Sequence, residues 1–416
     1  MSIAKYSHAY LIGSFNSNVR PQDLDTTIWK RQILNPKDYG DRLSDYYQSL
    51  VDSMAEAENQ QRPDFLQSVC HYIKEIDPDC KQQFGICLTK GREEIPYDYK
   101  ISLCKLHLYF FPNKIVLMVL EIDDRGVDLN LMTLGHSSLI NLKFAPTGND
   151  ELKEKMKPLL DLTPQHDFKS LVKDGNNLKI FQIVEVDAET PEDNLLFEIG
   201  TFIPVGAVGG KDGFSPSKEY FDTIIKNNSI SVFYNWKALA LVDSFTVLGV
   251  DNYNKWTWEN LYFPLIYLRC IFEKTFCFSR NSAYRLDKSV KNISREITDM
   301  EKYYFYNNIS YNFLPELLYD SMVKGIGLKE EREEISNQIK EQVKEKEDHR
   351  QQRITIYLGA FAIFSVAWDL CSMFMKGFTD QDAVLPARLA FTFSIIAIII
   401  LIVYQTFYKD KWRKSK

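Results

Sequence analysis

Residues 354–375 read ITIYLGAFAIFSVAWDLCSMFM, with Asp369 as the one charged side chain. As a helix rising 1.5 Å per residue, this stretch is long enough to cross a hydrocarbon core of about 30 Å. A second stretch, residues 389–407, reads LAFTFSIIAIIILIVYQTF and carries no charge. Because a short connector separates the two, we expect antiparallel neighbours. The sequence therefore predicts a C-terminal two-helix transmembrane hairpin, with a buried pair of non-membrane helices as the alternative.

Basic residues near the two stretches predict their orientation. Three basic residues precede the first stretch, and the connector holds only two, diluted by two aspartates. Five basic residues follow the second stretch, namely Lys409, Lys411, Arg413, Lys414 and Lys416. Cytoplasmic flanks are the basic ones. The prediction is a multi-pass protein of the inner (cytoplasmic) membrane, with both termini in the cytosol and residues 354–416 forming the hairpin and a basic tail.

The first stretch has a polar face. Polar residues recur there at i, i+4, i+7 and i+11, and the stripe extends backwards through smaller and apolar positions, giving the predicted pore-lining set Thr355, Leu358, Ala362, Ser365, Asp369, Ser372 and Lys376. A mid-membrane carboxylate costs about 2.5–3.5 kcal/mol. The expected partners are therefore the lipid bilayer and further copies of the chain around a wet axis. In the alternative, Asp369 lies near the outer end and meets water or Lys376.

A charged segment leads into the first stretch. Residues 322–353 read MVKGIGLKEEREEISNQIKEQVKEKEDHRQQR, which lack proline and are rich in strong helix formers. We expect a long stalk helix that continues into residue 354, within a helical region spanning residues 251–353. Two roles are open for this helix: it transmits motion, or it merely spaces the domain from the bilayer.

Residues 1–250 alternate strand and helix patterns and predict a cytosolic α/β sensor domain with a mixed or antiparallel sheet. The predicted strands are 8–14, 84–89, 102–111, 115–122, 178–186, 195–202, 229–234 and 238–248, and the predicted helices are 43–59, 63–76, 150–157 and 216–226. The turn at residues 111–114 predicts a hairpin between two of the strands.

A glycine-rich loop at residues 205–214 is the one candidate ligand site of this domain. Its Gly209, Gly210 and Lys211 are predicted to bind an anion through backbone amides, although a plain long loop is the simpler alternative. It is not a P-loop, because Asp212 follows Lys211 where Ser or Thr is required. No catalytic or metal-binding motif is recognisable, so we expect a protein that is not an enzyme, and any metal stays unknown. The net charge of −6 argues against direct nucleic-acid binding.

The order of these segments resembles the CorA family of divalent-cation channels over residues 256–416. The matching features are the stalk that runs into Ile354, the stripe through Ser365 and Asp369, and the tail Lys409-Asp410-Lys411-Trp412-Arg413-Lys414. The resemblance implies a funnel of five subunits whose first membrane helix lines the pore. The family's Gly-Met-Asn signature is replaced here by the run MFMKGF at residues 373–378.

CorA-like proteins without this signature occur beside type III CRISPR systems, which implies a membrane effector gated from the cytosol by a nucleotide second messenger in antiviral defence. The expected function is such a homopentameric channel or effector, with a nucleotide-type ligand or a divalent cation as its cofactor. A constitutive Mg²⁺ transporter and a tail-anchored signalling or scaffold protein without a pore are the alternatives.

Overall fold

The computed structural model describes residues 3–16, 20–32, 36–47, 50–51, 69–76, 83–90, 93–112, 115–140, 178–211, 213–251, 253–285, 290–305 and 308–377. The chain divides into two compact units, Met1–Ile335 and Ser336–Lys416. The domain boundary predicted at residue 250 lies inside the first unit.

The first unit is built on one mixed sheet. Its strands are β1 (Ile3–Asn16), β2 (Lys30–Gln32), β3 (Cys70–Glu75), β4 (Gln83–Lys90), β5 (Glu93–Phe110), β6 (Ile115–Asp124), β7 (Val127–Asp128), β8 (Lys179–Val186), β9 (Ser229–Phe233), β10 (Trp236–Ala240) and β11 (Ser244–Gly249). The order across the sheet is β2-β3-β5-β6-β1-β8-β11-β10-β9, with β4 paired to β5 and β7 to β1. Among the described strands, only β8 and β11 pair in parallel, and the predicted hairpin of β5 and β6 is confirmed.

The helices are α1 (Leu129–Ile140), α2 (Asp193–Thr201), α3 (Lys218–Asn228), α4 (Lys255–Thr257), α5 (Trp258–Tyr267, with π-helical turns), α6 (Leu268–Arg285), α7 (Val290–Tyr303), α8 (Phe313–Gly325) and α9 (Leu328–Gly377). Short 3₁₀ turns lie at Pro21–Asp23 and Pro36–Asp45. The wide turns of α5 contain Pro264, which has no amide hydrogen for an α-helical ladder.

Alternation along the strands gives the sheet two buried faces. One face packs aromatic side chains against α5: the rings of Tyr10 and Phe263 stack 3.9 Å apart, and Phe181 lies 5.3 Å from Tyr267. We call this the α5 face. The other face packs leucine, isoleucine and valine side chains against α1 and α2. Burial on both faces explains why β6 and β8 are almost wholly apolar.

The transmembrane hairpin is a prediction that the structure contradicts. The stalk helix that was predicted to continue into residue 354 is confirmed: residues 354–375 form the C-terminal part of α9, a continuous helix of 50 residues. Across the residues that the structure describes, no helix combines the length and the apolar character needed to cross a membrane. The predicted hairpin and the predicted multi-pass location in the inner membrane are therefore wrong. The second predicted stretch, 389–407, lies outside the described residues.

Two local predictions in the first unit are also wrong. Residues 195–202 were expected to form a strand but lie in α2, and the end of the helix predicted at 63–76 is strand β3. The helix predicted at 216–226 is confirmed as α3, whose N-cap Ser217 accepts a hydrogen bond from the amide of Tyr220. The helix predicted at 150–157 and most of that at 43–59 lie outside the described residues.

Candidate functional site

Polar side chains from four strands meet on the α5 face. Strand register explains the meeting, because Glu121 on β6 lies opposite Tyr10 on β1 and opposite Lys105 on β5. Residues two positions along a strand share a face, so His8 and His107 lie beside Glu121. His71 follows on β3. We call His71, His107, Glu121 and His8 the histidine–glutamate relay.

Glu121 is the centre of the relay and is only 7% exposed. His107 Nε2 lies 2.7 Å from its Oε2, while His8 Nε2 lies 3.3 Å and Lys105 Nζ 3.5 Å from its Oε1. Burial alone would raise the pKa of Glu121, but the hydrogen bond from His107 and the nearby His8 ring outweigh it and hold that pKa well below its usual range. Glu121 is therefore an ionised acceptor.

An ionised Glu121 determines where the relay protons lie on one side. Glu121 can only accept, so His107 donates from Nε2, and its Nδ1 accepts from His71 Nε2 at 3.0 Å. Burial, and to a smaller extent the neighbouring His107, lowers the pKa of His71 well below its usual value. His71 also stacks on Tyr109 at 4.0 Å between ring centroids. This side of the relay is satisfied with both imidazoles neutral.

The other side of the relay, around His8, is not satisfied when the imidazole is neutral. Burial and the neighbouring Glu259 raise the pKa of the Tyr6 phenol, so Tyr6 keeps its proton and donates it to Glu259 on α5. His8 Nδ1 lies 3.1 Å from the same phenol oxygen, which is then free only to accept. Both ring nitrogens of His8 thus face acceptors, Tyr6 and Glu121, and the buried Nε2 makes no hydrogen bond of its own. Neutral imidazole has a single N–H, so this arrangement is complete only when His8 is the imidazolium.

Charged residues surround the Tyr6 end of the relay. Lys255 Nζ lies 4.4 Å and the Arg125 guanidinium 5.6 Å from the centre of the Tyr6 ring. Lys255 also pairs with Glu185, and Arg125 Nη2 pairs with Asp123 at 3.2 Å. The carboxylates at this end, Glu185 and Asp123 together with Glu121 and Glu259, outnumber the cations. The site therefore favours holding a proton over binding an anion.

A second polar cluster fixes the start of α9 in the first unit. Glu273 on α6 is fully buried between two arginines, accepting from Arg269 Nε at 3.1 Å and from Arg332 on α9. The Arg269 Nη2 donates to the Tyr304 carbonyl at 2.6 Å, and Arg332 Nη2 donates to the Tyr319 hydroxyl at 2.9 Å. We call Arg269, Glu273 and Arg332 the arginine–glutamate cluster.

The predicted ligand loop is tightly bonded to its own domain. Gly210 N donates to the Ala207 carbonyl at 3.0 Å, and Val208 N donates to the buried Glu198 carboxylate at 2.8 Å. Gly209 has a φ of 81° and supplies the left-handed turn. Lys211 is exposed. These amides already have acceptors within the chain, and ligand binding by this loop stays a prediction.

The predicted pore-lining residues all lie on α9. Thr355, Leu358, Ala362 and Asp369 are exposed, and Ser365 is half-buried. The side chains of Ser372 and Lys376 lie outside the described set. The helix does bring these positions to one face. A pore also needs helices that cross the membrane, and the described part of the chain has no helix long and apolar enough to do so.

Metal binding and thiol chemistry receive no support from the described residues. Among them, no three His, Cys, Asp or Glu side chains are placed to hold a metal ion. The cysteines described there, at 70, 104, 270 and 277, are free thiols, and burial raises the pKa of Cys270 and Cys277. These two thiols are therefore poor nucleophiles.

The chain matches no family model, and no curated protein or solved structure is significantly similar to it. The resemblance to CorA thus rests on the sequence features alone. A nucleotide messenger or a divalent cation as ligand stays a prediction. The histidine–glutamate relay was missed from the sequence because residues 8, 71, 107 and 121 are far apart, and each histidine looks isolated. Only the register of four strands brings them together.

Proposed function

We propose that this chain is a non-catalytic regulatory protein whose sheet senses protonation and whose output is helix α9. The observation that carries the proposal is the placement of His8. Its two ring nitrogens face the Glu121 carboxylate at 3.3 Å and, at 3.1 Å, the Tyr6 oxygen, whose proton goes to Glu259. Imidazole is the side chain whose charge ordinarily changes between about pH 5 and pH 8. His8 is therefore the input of the sensor.

Loss of the second proton from His8 forces a choice between its two contacts. If the remaining N–H points to Tyr6, a lone pair faces the Glu121 carboxylate, and the two repel. If it points to Glu121, Nδ1 becomes an acceptor, and Tyr6 can donate to it only by giving up its hydrogen bond to Glu259. Lys105 Nζ, 3.5 Å from Glu121, compensates part of the first arrangement. The second arrangement redirects the Tyr6 hydroxyl and weakens its tie to Glu259 on α5.

A contiguous set of helices supplies the route to α9. Glu259 lies in the first turn of α5, and α5 runs without a break into α6. On α6, Glu273 receives hydrogen bonds from Arg269 and from Arg332 of α9. A rotation or shift of α5 would therefore act on a buried ion pair at the base of the output helix. The contact between these helices supplies a route from His8 to α9. The experiment must measure whether the two are energetically coupled.

Hydrogen exchange followed by mass spectrometry tests this proposal. We expect residues 328–353 of the wild-type chain to change their protection by about fivefold between about pH 6 and pH 8, after correction for intrinsic exchange. The His8→Gln variant should lose this pH response. Thr133→Ser is the matched control, since Thr133 is fully buried on the other face of the sheet and has no titratable group, and it should retain the response.

A further variant separates sensing from transmission. Glu259→Gln leaves the relay intact but weakens the acceptor on α5, so the response of α9 should be reduced. An identical pH response of α9 in the wild type and in His8→Gln would contradict the proposal. So would an unchanged response in Glu259→Gln, because the Tyr6–Glu259 hydrogen bond would then carry no signal.

A further inference from the structure

The two edges of the sheet differ in their charge. Among the described strands, β2 forms one edge, and its residues Lys30–Gln32 are all exposed and two of them are basic. Strand β9 forms the other edge, and residues 227–236, which contain it, carry no charged side chain. Charged side chains on an edge strand are a common protection against pairing with another chain. The β2 edge has this protection, and the β9 edge lacks it.

Apolar side chains are exposed at the end of β9 and in the turn that follows it. The exposed fractions are 38% for Val232, 49% for Phe233 and 80% for Tyr234. Phe233 also contacts Trp236, with ring centroids 5.9 Å apart, so only part of its ring is available to a partner. A strand that is added at an edge lies in the plane of the sheet and contacts both faces. Side chains exposed one after another along β9 therefore suit pairing at the edge.

Main-chain groups on the outer side of β9 form the rest of this surface. In an antiparallel ladder, alternate residues turn their N–H and C=O groups away from the partner strand. Among the described strands, β9 pairs only with β10, so its outward groups have no strand partner there. A bulge places Ser231 and Val232 opposite Lys237 and interrupts the ladder. The regular part of the edge is therefore short, and a partner strand should bind weakly.

We propose that β9 pairs antiparallel with β9 of a second copy of this chain, so that the two sheets become one continuous sheet across a two-fold axis. Charge favours this occupant and this direction. Residues 227–236 bring no like charges together, and antiparallel pairing holds the two exposed Lys226 side chains at opposite ends of the paired strands. Parallel pairing would set these lysines side by side. Antiparallel pairing instead brings each lysine towards Tyr234 of the other copy, as a cation–π contact requires.

The size of the surface predicts a weak dimer. A covered aromatic side chain buries about 150–250 Å², so Tyr234 and Phe233 at their exposed fractions, with Val232, offer roughly 300 Å² in each copy. Two copies would remove roughly 600 Å² of side-chain surface, which together with the paired main chain stays in the range of transient complexes, below about 1,200 Å². The dimer is closed, because the edges that remain are the two charged β2 strands. Pairing at this edge is independent of proton sensing by the relay.

Analytical ultracentrifugation of the full chain tests the proposal. The wild type should dimerise reversibly with a Kd of roughly 100 μM. Val232→Lys should weaken dimerisation at least about tenfold, because an ammonium group on the edge strand of each copy would lie close to the other. Ile28→Lys is the matched control. Ile28 is 46% exposed but immediately precedes β2 at the opposite edge, so dimerisation should be close to that of the wild type.

A mixture of two variants tests the two-fold axis. When β9 pairs over its full length, Ser231 is at the centre and the two Val232 side chains lie at diagonal positions about 7–8 Å apart. Val232→Glu alone should therefore weaken dimerisation as Val232→Lys does, whereas an equimolar mixture of the two should dimerise about tenfold more tightly than either variant alone. Thermal unfolding followed by circular dichroism checks that each variant is folded, as expected for changes at exposed positions.

Three results would overturn the proposal. The first is a wild type that stays monomeric up to roughly 500 μM, well above the expected Kd. The second is equal weakening by Val232→Lys and Ile28→Lys, or a mixture that dimerises no better than its components. The third is association that requires added phosphatidylglycerol vesicles, because the exposed side chains of β9 would then contact lipid.

Discussion

His136 should make the stability of the first unit strongly dependent on pH. It lies on α1, fully buried among leucine, isoleucine and valine side chains of the face opposite the relay. Its Nδ1 is 2.8 Å from Gln182 Oε1, and its Nε2 has no hydrogen-bond partner. Burial lowers the pKa of His136 from 6.5 to about 4, although the Gln182 hydrogen bond opposes the fall. The folded state therefore resists the proton that the unfolded chain accepts.

The sign and the size of the effect follow from linkage. The stabilisation is fully present above the unfolded pKa of 6.5 and is lost as the pH falls towards the folded pKa of about 4. Each pKa unit corresponds to about 1.4 kcal/mol, so the free energy of unfolding should fall by about 2 kcal/mol by pH 5 and by about 3 kcal/mol by pH 4.

Urea unfolding at a series of pH values, followed by tryptophan fluorescence, measures this. The His136→Gln variant keeps an amide that can donate to Gln182 but does not titrate, so its stability should depend less on pH by the amounts above. Thr133→Ser, in the same helix and also buried, is the control, and its stability curve should run parallel to that of the wild type. Parallel curves for His136→Gln and the wild type would refute the reasoning.

Two other substitutions test the helical part of the first unit. Glu273→Ala should lower the free energy of unfolding by about 3–5 kcal/mol in denaturant titrations. The reason is that Arg269 and Arg332 lose their shared carboxylate, and Arg269 is only 2% exposed. A loss below about 1 kcal/mol would show that the cluster is solvated. Gly325→Ala should cost about 1–3 kcal/mol in the same assay. A Cβ at Gly325 would lie 2.7 Å from the carbonyl carbon of Ala240, and a stability equal to the wild type would mean that β10 yields easily.

The strands with a clear apolar pattern could be predicted from the sequence, and the elements defined by tertiary packing could not. Strands β5 and β6 are apolar, β-branched or aromatic, and a turn joins them, so local pattern was sufficient. Residues 195–202 read LLFEIGTF, a short apolar run that fits a buried strand or a buried helix equally well. Packing on the sheet makes it α2, whose last turn ends at Phe202 with a φ of 59°.

The candidate site was not predicted from the sequence, and the membrane prediction was wrong, for different reasons. Partners in the relay are separated by up to 113 positions, from His8 to Glu121, and no local pattern reports a strand register. The membrane prediction rested on the length and low charge of the run at 354–375. The predicted continuity with the charged stalk is confirmed as helix α9, but no helix in the described part of the chain is long and apolar enough to cross a membrane.

The central position of β1 has a consequence for synthesis on the ribosome. This strand is made before the other described strands, yet it pairs with β6 and with β8, whose last residue is Val186. At about 5–20 residues per second, a nascent chain waits roughly 10–30 s before the second neighbour is available. Meanwhile an apolar strand is open to wrong partners. Chaperone binding to nascent β1, or slow translation before residue 179, should therefore limit the yield of native protein more than the stability of the finished fold does.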